Sequence, residues 1–181
     1  ILFSYFPIVL VGYFLVKTNL IQELRNIKII GWMTLIFGIL LYISDKFKLE
    51  KNIKNNLSLK YVLIIGLFQV IALIPGVSRS GITITAARLL NFKRYDSAKI
   101  SFLLSIPTLA AVSIFGIKNI ITSNDMFFST LNLTSIFLSF LISFLTIKYF
   151  LDFIKKFILN FFVFYRVILG IILLYFAYLQ N

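Results

Sequence analysis

A run of nine residues inside an apolar part of the chain combines one guanidinium, three hydroxyls and two glycines. The run is Pro75-Gly76-Val77-Ser78-Arg79-Ser80-Gly81-Ile82-Thr83. An arginine at the centre of a membrane helix costs at least about 2.5 kcal/mol on insertion scales and by default marks a functional site. Glycines let the backbone approach a ligand closely, and a helix that starts near Ile82 offers free N–H groups. Together with the hydroxyls and the guanidinium, these groups suit a phosphate. The alternative is a structural break whose arginine only reaches the interface.

The rest of the composition limits the available chemistry. The chain has no Cys and no His, which excludes thiol nucleophiles, zinc–cysteine sites and the commonest general base. Chemistry must therefore use carboxylates, hydroxyls and arginine. The six acidic residues show no paired, buried spacing; they are Glu23, Glu50, Asp45, Asp96, Asp125 and Asp152. A Gly-rich P-loop is also absent from the sequence.

Five further polar residues lie in or beside the apolar segments. Gln69 has two interpretations, a contact with the site or an interhelical hydrogen bond. Arg166 could reach the interface, pair with Asp152, or join the site. We expect Arg88 to reach the basic interface and Arg94, with its neighbour Lys93, to act as a topological signal.

Composition places the chain in a membrane. It is 60% hydrophobic and 13% charged, whereas a soluble domain is about 45–50% apolar and about 25% charged. The net charge of +12 has two interpretations. A nucleic-acid surface is one, but basic loops around membrane spans are favoured, and we expect no nucleic-acid partner.

The apolar segments predict an all-α, polytopic membrane protein that forms a single transmembrane domain. Two short apolar segments joined by Pro75 and Gly76 predict a re-entrant, broken-helix hairpin over 61–91, because neither segment is long enough to cross a bilayer. The other apolar segments predict membrane spans over about 1–16, 29–44, 100–117, 127–151 and 161–179.

The positions of the basic residues predict the orientation. If the hairpin returns to the side that it left, eleven Lys and Arg collect on one side and four on the other. The positive-inside rule places the eleven in the cytoplasm. The tip of the hairpin then points away from the cytoplasm.

The hairpin motif resembles a known signature. Pro75, Gly76, Ser78, Arg79, Ser80 and Thr83 match P-G-x-S-R-S-x-x-T, the signature of the bacterial undecaprenyl-diphosphatase family of the bacitracin-resistance type. The segment from Ala98 to Pro107 and Phe164-Tyr165-Arg166 look like the family too. The similarity runs from about Ile1 to the C-terminus.

The resemblance implies a multi-pass enzyme of the bacterial inner membrane that hydrolyses undecaprenyl diphosphate to the monophosphate and recycles the lipid carrier of cell-wall synthesis. It also implies inverted repeats, of which this chain would hold one half, and a site that faces away from the cytoplasm. The implied partners are a polyprenyl diphosphate and membrane lipids, and a homodimer is compatible with it. The implied catalytic residues are Arg79, Ser78, Ser80 and Thr83, and the implied substrate-binding residues are Gly76, Gly81, Gln69 and Arg166.

One part of the family pattern has no counterpart. Its N-terminal motif is acidic, of the E-x-x-x-E type, and is followed by a Ser/Thr-rich turn and a His, none of which matches this sequence. The chain opens inside an apolar run at Ile1, so we expect further sequence before it. The carboxylate ligands of a divalent cation such as Mg²⁺ or Ca²⁺ would lie there, and we predict that the 181 residues alone are inactive. The rival hypotheses are a polyprenyl-phosphate transporter or flippase and a non-catalytic membrane scaffold.

Overall fold

A computed structural model describes residues 5–18, 24–47, 51–110, 113–114, 117, 126–156 and 159–179. Over these residues the chain forms helices and no strand, which confirms the all-α prediction. The named helices are α1 (Tyr5–Lys17), α2 (Ile27–Asp45), α3 (Ile53–Asn56), α4 (Leu59–Ile71), α5 (Arg79–Leu89), α6 (Arg94–Leu103), α7 (Met126–Lys156) and α8 (Asn160–Leu179).

Three of the described helices are long and apolar enough to cross a membrane. They comprise Ile27–Asp45, Thr130–Lys155 and Asn160–Leu179. Their lengths of 19, 26 and 20 residues correspond to the roughly 20 residues that a bilayer requires. These helices support the prediction of a polytopic membrane protein.

Helices α4 and α5 form a closed hairpin. At its base, the rings of Tyr61 and Phe92 meet edge to face with centroids 5.7 Å apart. A parallel bridge joins Lys51 to Phe92 beside them. The start of α4 and the end of α5 therefore lie together, so the chain leaves the hairpin at the end where it entered.

Helices α2 and α8 pack closely through glycines. A Cβ added at Gly31 would lie 2.9 Å from the Leu174 side chain, and one at Gly170 would lie 2.9 Å from Leu35. Small residues of this kind let two membrane helices approach each other. The same packing places Arg166 beside Gly38, since a Cβ there would lie 3.3 Å from the Arg166 Cβ.

The hairpin lies alongside α2 over much of its length. At the tip, Thr34 Oγ1 donates to the Gly76 carbonyl at 3.2 Å. At the base, Asp45 contacts Arg88 at 2.8 Å. Asp45 follows Thr34 by eleven positions along the helix, a rise of about 16 Å. The tip therefore reaches beyond the middle of a helix that is long enough to span a bilayer.

The base of the hairpin holds a buried charge cluster that the sequence analysis missed. Asp45 Oδ1 lies 2.8 Å from Arg88 Nη2 and 2.8 Å from Arg94 Nε. A second bond joins Arg94 Nη2 to Asp45 Oδ2 at 2.9 Å. The expectation that Arg88 reaches the interface is wrong, because Arg88 is completely buried. The expectation that no acidic residue is buried is wrong for Asp45, because the packing of α2 against α5 buries it beside a residue 43 positions away.

The segment predicted as a span over 100–117 is divided. Helix α6 begins earlier, at Arg94, and ends at Leu103, and residues 106–110 are again helical. Pro107 explains the break, because its ring lacks an N–H and clashes with the carbonyl four residues earlier, here that of Leu103. Most of residues 111–125 lie outside the described part of the chain.

Candidate active site

The turn between α4 and α5 forms the tip of the hairpin. Its backbone has positive φ at Gly76 (93°) and at Ser78 (62°). Ser78 is the N-cap of α5, and its side chain accepts the Gly81 N–H at 3.3 Å. Helix α5 therefore begins at Arg79, earlier than the expected start near Ile82. The polar run of the motif becomes the N-terminal turn of a helix, which favours an anion.

Both motif glycines occupy positions that a side chain would fill. At Gly76, an added Cβ would lie 2.5 Å from the Ile30 carbonyl oxygen. At Gly81, it would lie 2.5 Å from Arg166 Nη1 and 3.3 Å from Ser78 Oγ. The first glycine lets the turn dock on α2, and the second leaves room for a guanidinium at the start of α5.

Arg166 is the guanidinium that lies at this turn. Its Nη2 donates to the carbonyls of Gly76 and Val77, each at 2.9 Å. Its Nε and Nη1 are buried and have no hydrogen-bond partner among the described residues. Arg166 itself is only 8% exposed. A buried cation with unused donors is costly unless an anion meets it.

A cavity of about 690 Å³ opens beside these groups. Ser78, Ser80, Gly81 and Arg166 line its polar part. Its apolar lining includes Leu41, Ile84, Phe150, Phe162 and Leu173. The cavity thus offers hydroxyls and a guanidinium to a charged group and apolar walls to whatever is attached to that group.

Arg79 and Thr83 do not line the cavity, unlike Ser78 and Ser80. The Arg79 guanidinium donates to the carbonyl of Leu104, the C-cap residue of α6. Thr83 Oγ1 shares a hydrogen bond of 2.7 Å with Ser101 Oγ. Neither residue lines the cavity, although Ser101 does. Of the predicted site residues, the cavity brings together Gly76, Ser78, Ser80, Gly81 and Arg166.

Gln69 lies on α4, away from the cavity lining. It is completely buried, and neither atom of its amide has a partner in the part of the chain that the structure describes. An unpaired buried amide is costly. Neither the interhelical bond nor the site contact considered for Gln69 is present among these residues.

Thr34 is a site residue that the sequence analysis did not single out. It is buried, donates to Gly76 and lines the cavity. The available signal was a hydroxyl inside the apolar span 29–44. Its contact with the motif depends on how α2 packs against the hairpin, and the sequence alone does not show that packing.

The donor set favours an anion over a metal. Among the described residues, no three His, Cys, Asp or Glu side chains are grouped so that they could hold a metal ion. The residues that line the cavity do not include a carboxylate. The described residues therefore do not fit a divalent cation, whereas a guanidinium, hydroxyls and a helix N-terminus fit a phosphate.

Comparison with known proteins finds matches over most of the chain. The family model for the bacitracin resistance protein BacA matches residues 1–172. The undecaprenyl-diphosphatase of Pelagibacter ubique (strain HTCC1062) is 56% identical over 173 residues, which cover 95% of this chain and 67% of that protein. The undecaprenyl-diphosphatase of Jannaschia sp. (strain CCS1) is 40% identical over 95% of this chain and 64% of its own length. The chain thus spans about two thirds of the length of the curated relatives it matches.

Proposed function

This chain belongs to the family of the bacitracin resistance protein BacA, and from that membership we propose that it forms the diphosphate-binding part of an undecaprenyl-diphosphatase. The family predicted from the hairpin motif is thereby confirmed. The proposed reaction converts undecaprenyl diphosphate and water to undecaprenyl phosphate and inorganic phosphate.

The observation that carries this proposal is the buried guanidinium of Arg166. Its Nε and Nη1 lack partners in the described part of the chain, and Nη1 lies at the first turn of α5, beside Gly81. A terminal phosphate at this point would receive charge-assisted bonds from Arg166 and hydrogen bonds from Ser78 and Ser80. These groups would offset the charge that develops as the phosphoanhydride bond breaks.

The chemistry divides into parts that the described residues do and do not supply. In the hydrolysis, a water oxygen bonds to the terminal phosphorus, and the bridging oxygen leaves with undecaprenyl phosphate. Arg166 and the hydroxyls would bind the phosphates and hold them for this attack. The proton of the water requires a base, and the cavity lining includes neither a carboxylate nor, in a chain without His, an imidazole. We therefore expect the 181-residue chain to bind the diphosphate without hydrolysing it.

Arg79 remains a predicted diphosphate ligand. Its guanidinium donates to the Leu104 carbonyl. To clamp the substrate, it would exchange this neutral acceptor for a charged phosphate oxygen, which forms the stronger bond. Thr83 and Gln69 likewise remain predicted site residues.

We propose the bacterial inner membrane as the location, with the site facing away from the cytoplasm. The argument is that the base of the hairpin is basic. Lys51 lies over the Tyr61 ring at 4.4 Å, and Lys155 lies over the Tyr95 ring at 4.8 Å. Basic residues at one end of the bundle indicate its cytoplasmic end. A homodimer stays a prediction, and the mass of the detergent-solubilised protein tests it.

Phosphate release tests the proposed function. The full-length gene product and the 181-residue chain are each placed in liposomes that contain undecaprenyl diphosphate. We expect Arg166→Ala and Arg79→Ala in the full-length product to abolish phosphate release. Lys155→Ala is the control, because Lys155 is exposed, its ion pair with Asp152 lies at the surface, and it does not line the cavity.

The outcomes separate the competing functions. Phosphate release near the wild-type rate in Arg166→Ala, with folding verified by a thermal melt, would overturn the site assignment. Movement of a polyprenyl phosphate across the membrane without phosphate release would instead support the transporter. Binding of undecaprenyl diphosphate to neither protein would leave the scaffold as the better explanation.

A further inference from the structure

A second cavity, of about 570 Å³, lies between α7 and α8. Its α7 side consists of residues spaced three or four apart from Ile142 to Phe153, so they share one face of that helix. Phe161 and Phe162 form its α8 side. Thr146, Phe150 and Phe162 line this cavity and also the cavity beside Arg166 and Ser78, which is called the diphosphate-binding cavity below. The two cavities are therefore neighbours that share one wall.

We propose that this α7–α8 groove holds the polyprenyl chain of the substrate, an inference that rests on the proposed function. The chain would leave the diphosphate-binding cavity past Phe150 and Phe162. From there it would follow the apolar face of α7 toward the surrounding lipid.

The position of Arg166 on α8 supports this path. Phe162 precedes Arg166 by four residues, so the two side chains share a face and lie about 6 Å apart along the helix. A diphosphate bound at Arg166 therefore places the first carbons of its chain next to the Phe162 ring. This ring belongs to both cavities.

Three aromatic rings form the boundary between the cavities. Phe102 and Phe150 meet edge to face with centroids 5.6 Å apart, and Phe150 and Phe162 do so at 5.3 Å. Of the two cavities, Phe102 lines only the diphosphate-binding cavity. Such rings offer apolar contact to an isoprenoid without a polar group that must be satisfied.

The outer side of the groove is open. Tyr149 is 67% exposed and Phe161 is 71% exposed. Both belong to helices that are long and apolar enough to span a bilayer. A long apolar chain attached to a buried headgroup needs such an opening, because the diphosphate-binding cavity cannot enclose the whole chain.

Chain-length selectivity tests the proposal. The full-length gene product is assayed with undecaprenyl diphosphate and with a short-chain isoprenyl diphosphate. Phe153→Trp places a larger side chain in the α7–α8 groove, at a residue that does not line the diphosphate-binding cavity. We expect it to raise KM for undecaprenyl diphosphate about tenfold more than KM for the short-chain substrate.

Phe144→Trp is the matched control. Phe144 lies on the opposite face of α7, is 60% exposed and lines neither cavity. We expect this variant to hydrolyse both substrates as the wild type does. As an independent readout, a diphosphate carrying a photoreactive group on its polyprenyl chain should label α7 and α8 around the groove.

The possible results test the α7–α8 groove and the proposed function separately. An equal change of KM for both substrates in Phe153→Trp, or labelling confined to other helices, would overturn the groove. If the wild type binds and hydrolyses neither diphosphate, the proposed function fails and this inference fails with it. If the wild type hydrolyses both and Phe153→Trp has no effect on either, only the groove is wrong.

Discussion

Arg166 Nη2 lies 2.9 Å from the carbonyl oxygen of Gly76, although 90 residues separate the two in the chain. The same carbonyl accepts a bond from Thr34. Side chains from both α8 and α2 thus hold the tip of the hairpin by donating to the Gly76 carbonyl oxygen. Because α2 and α8 pack through Gly31 and Gly170, the geometry of the candidate anion site depends on contacts outside the motif itself.

Gly81→Ala should weaken diphosphate binding while leaving the fold intact. The added Cβ would lie 2.5 Å from Arg166 Nη1, which is the end of a flexible side chain and can move aside. The displaced guanidinium would lose its place at the α5 N-terminus, and we expect the Kd for undecaprenyl diphosphate to rise at least about tenfold. Calorimetric titration measures this change.

Gly12→Ala is the control for that variant. An added Cβ at Gly12 would meet only the Leu73 side chain at 3.9 Å, an ordinary contact. Its Kd should match that of the wild type. An unchanged Kd in Gly81→Ala would show that Arg166 Nη1 does not contact the diphosphate.

Gly76→Ala should destabilise the protein rather than act on binding alone. Gly76 has φ of +93°, and its Cβ would lie 2.5 Å from a backbone oxygen of α2 that cannot easily move. A strained residue of this kind costs about 1–3 kcal/mol. We expect a clear decrease of Tm in detergent, with Gly12→Ala again as the control. A Tm equal to that of the wild type would contradict the docking of the turn on Ile30.

Asp45→Asn should be among the most damaging single changes outside the cavity. It removes the carboxylate that pairs with the completely buried Arg88 and with Arg94. Breaking a buried pair from one side costs about 3–5 kcal/mol, because the remaining charge is left uncompensated. The thermal melt of the variant in detergent measures this loss.

Asp152→Asn provides the comparison. Asp152 and Lys155 are 57% and 51% exposed at their side chains, and a surface pair contributes about 0–1 kcal/mol. Its Tm should stay close to that of the wild type. If both variants melted alike, the buried cluster at the hairpin base would not be the stabilising feature that the distances indicate.

The sequence predicted what depends on local pattern and not what depends on packing. Pro75 and Gly76 indicate the break between α4 and α5 because their backbone preferences act locally. The partners of Asp45 and Arg166 lie 43 to 90 residues away in the chain, and no spacing rule reaches that far. The sequence therefore identified Arg166 as one of several candidates, whereas its bond to Gly76 follows from the packing of α8 against α2.

Thr83→Val tests whether the last hydroxyl of the motif acts on the substrate or on the fold. Thr83 Oγ1 and Ser101 Oγ lie 2.7 Å apart, and both residues are buried. Removing either hydroxyl leaves the other without this partner, at a cost of about 1–3 kcal/mol. We expect Thr83→Val and Ser101→Ala each to lower Tm, and the double variant to lose less than the sum of the two.

Hydrolysis by the same variants of the full-length product separates the two roles of Thr83. If its hydroxyl only joins α5 to α6, Thr83→Val and Ser101→Ala should reduce kcat/KM by similar factors, because both remove the same bond. A loss in Thr83→Val that exceeds the loss in Ser101→Ala by more than about tenfold, or 1.4 kcal/mol of transition-state stabilisation, would contradict a purely structural role. Thr83 would then contact the phosphate directly, after giving up its bond to Ser101.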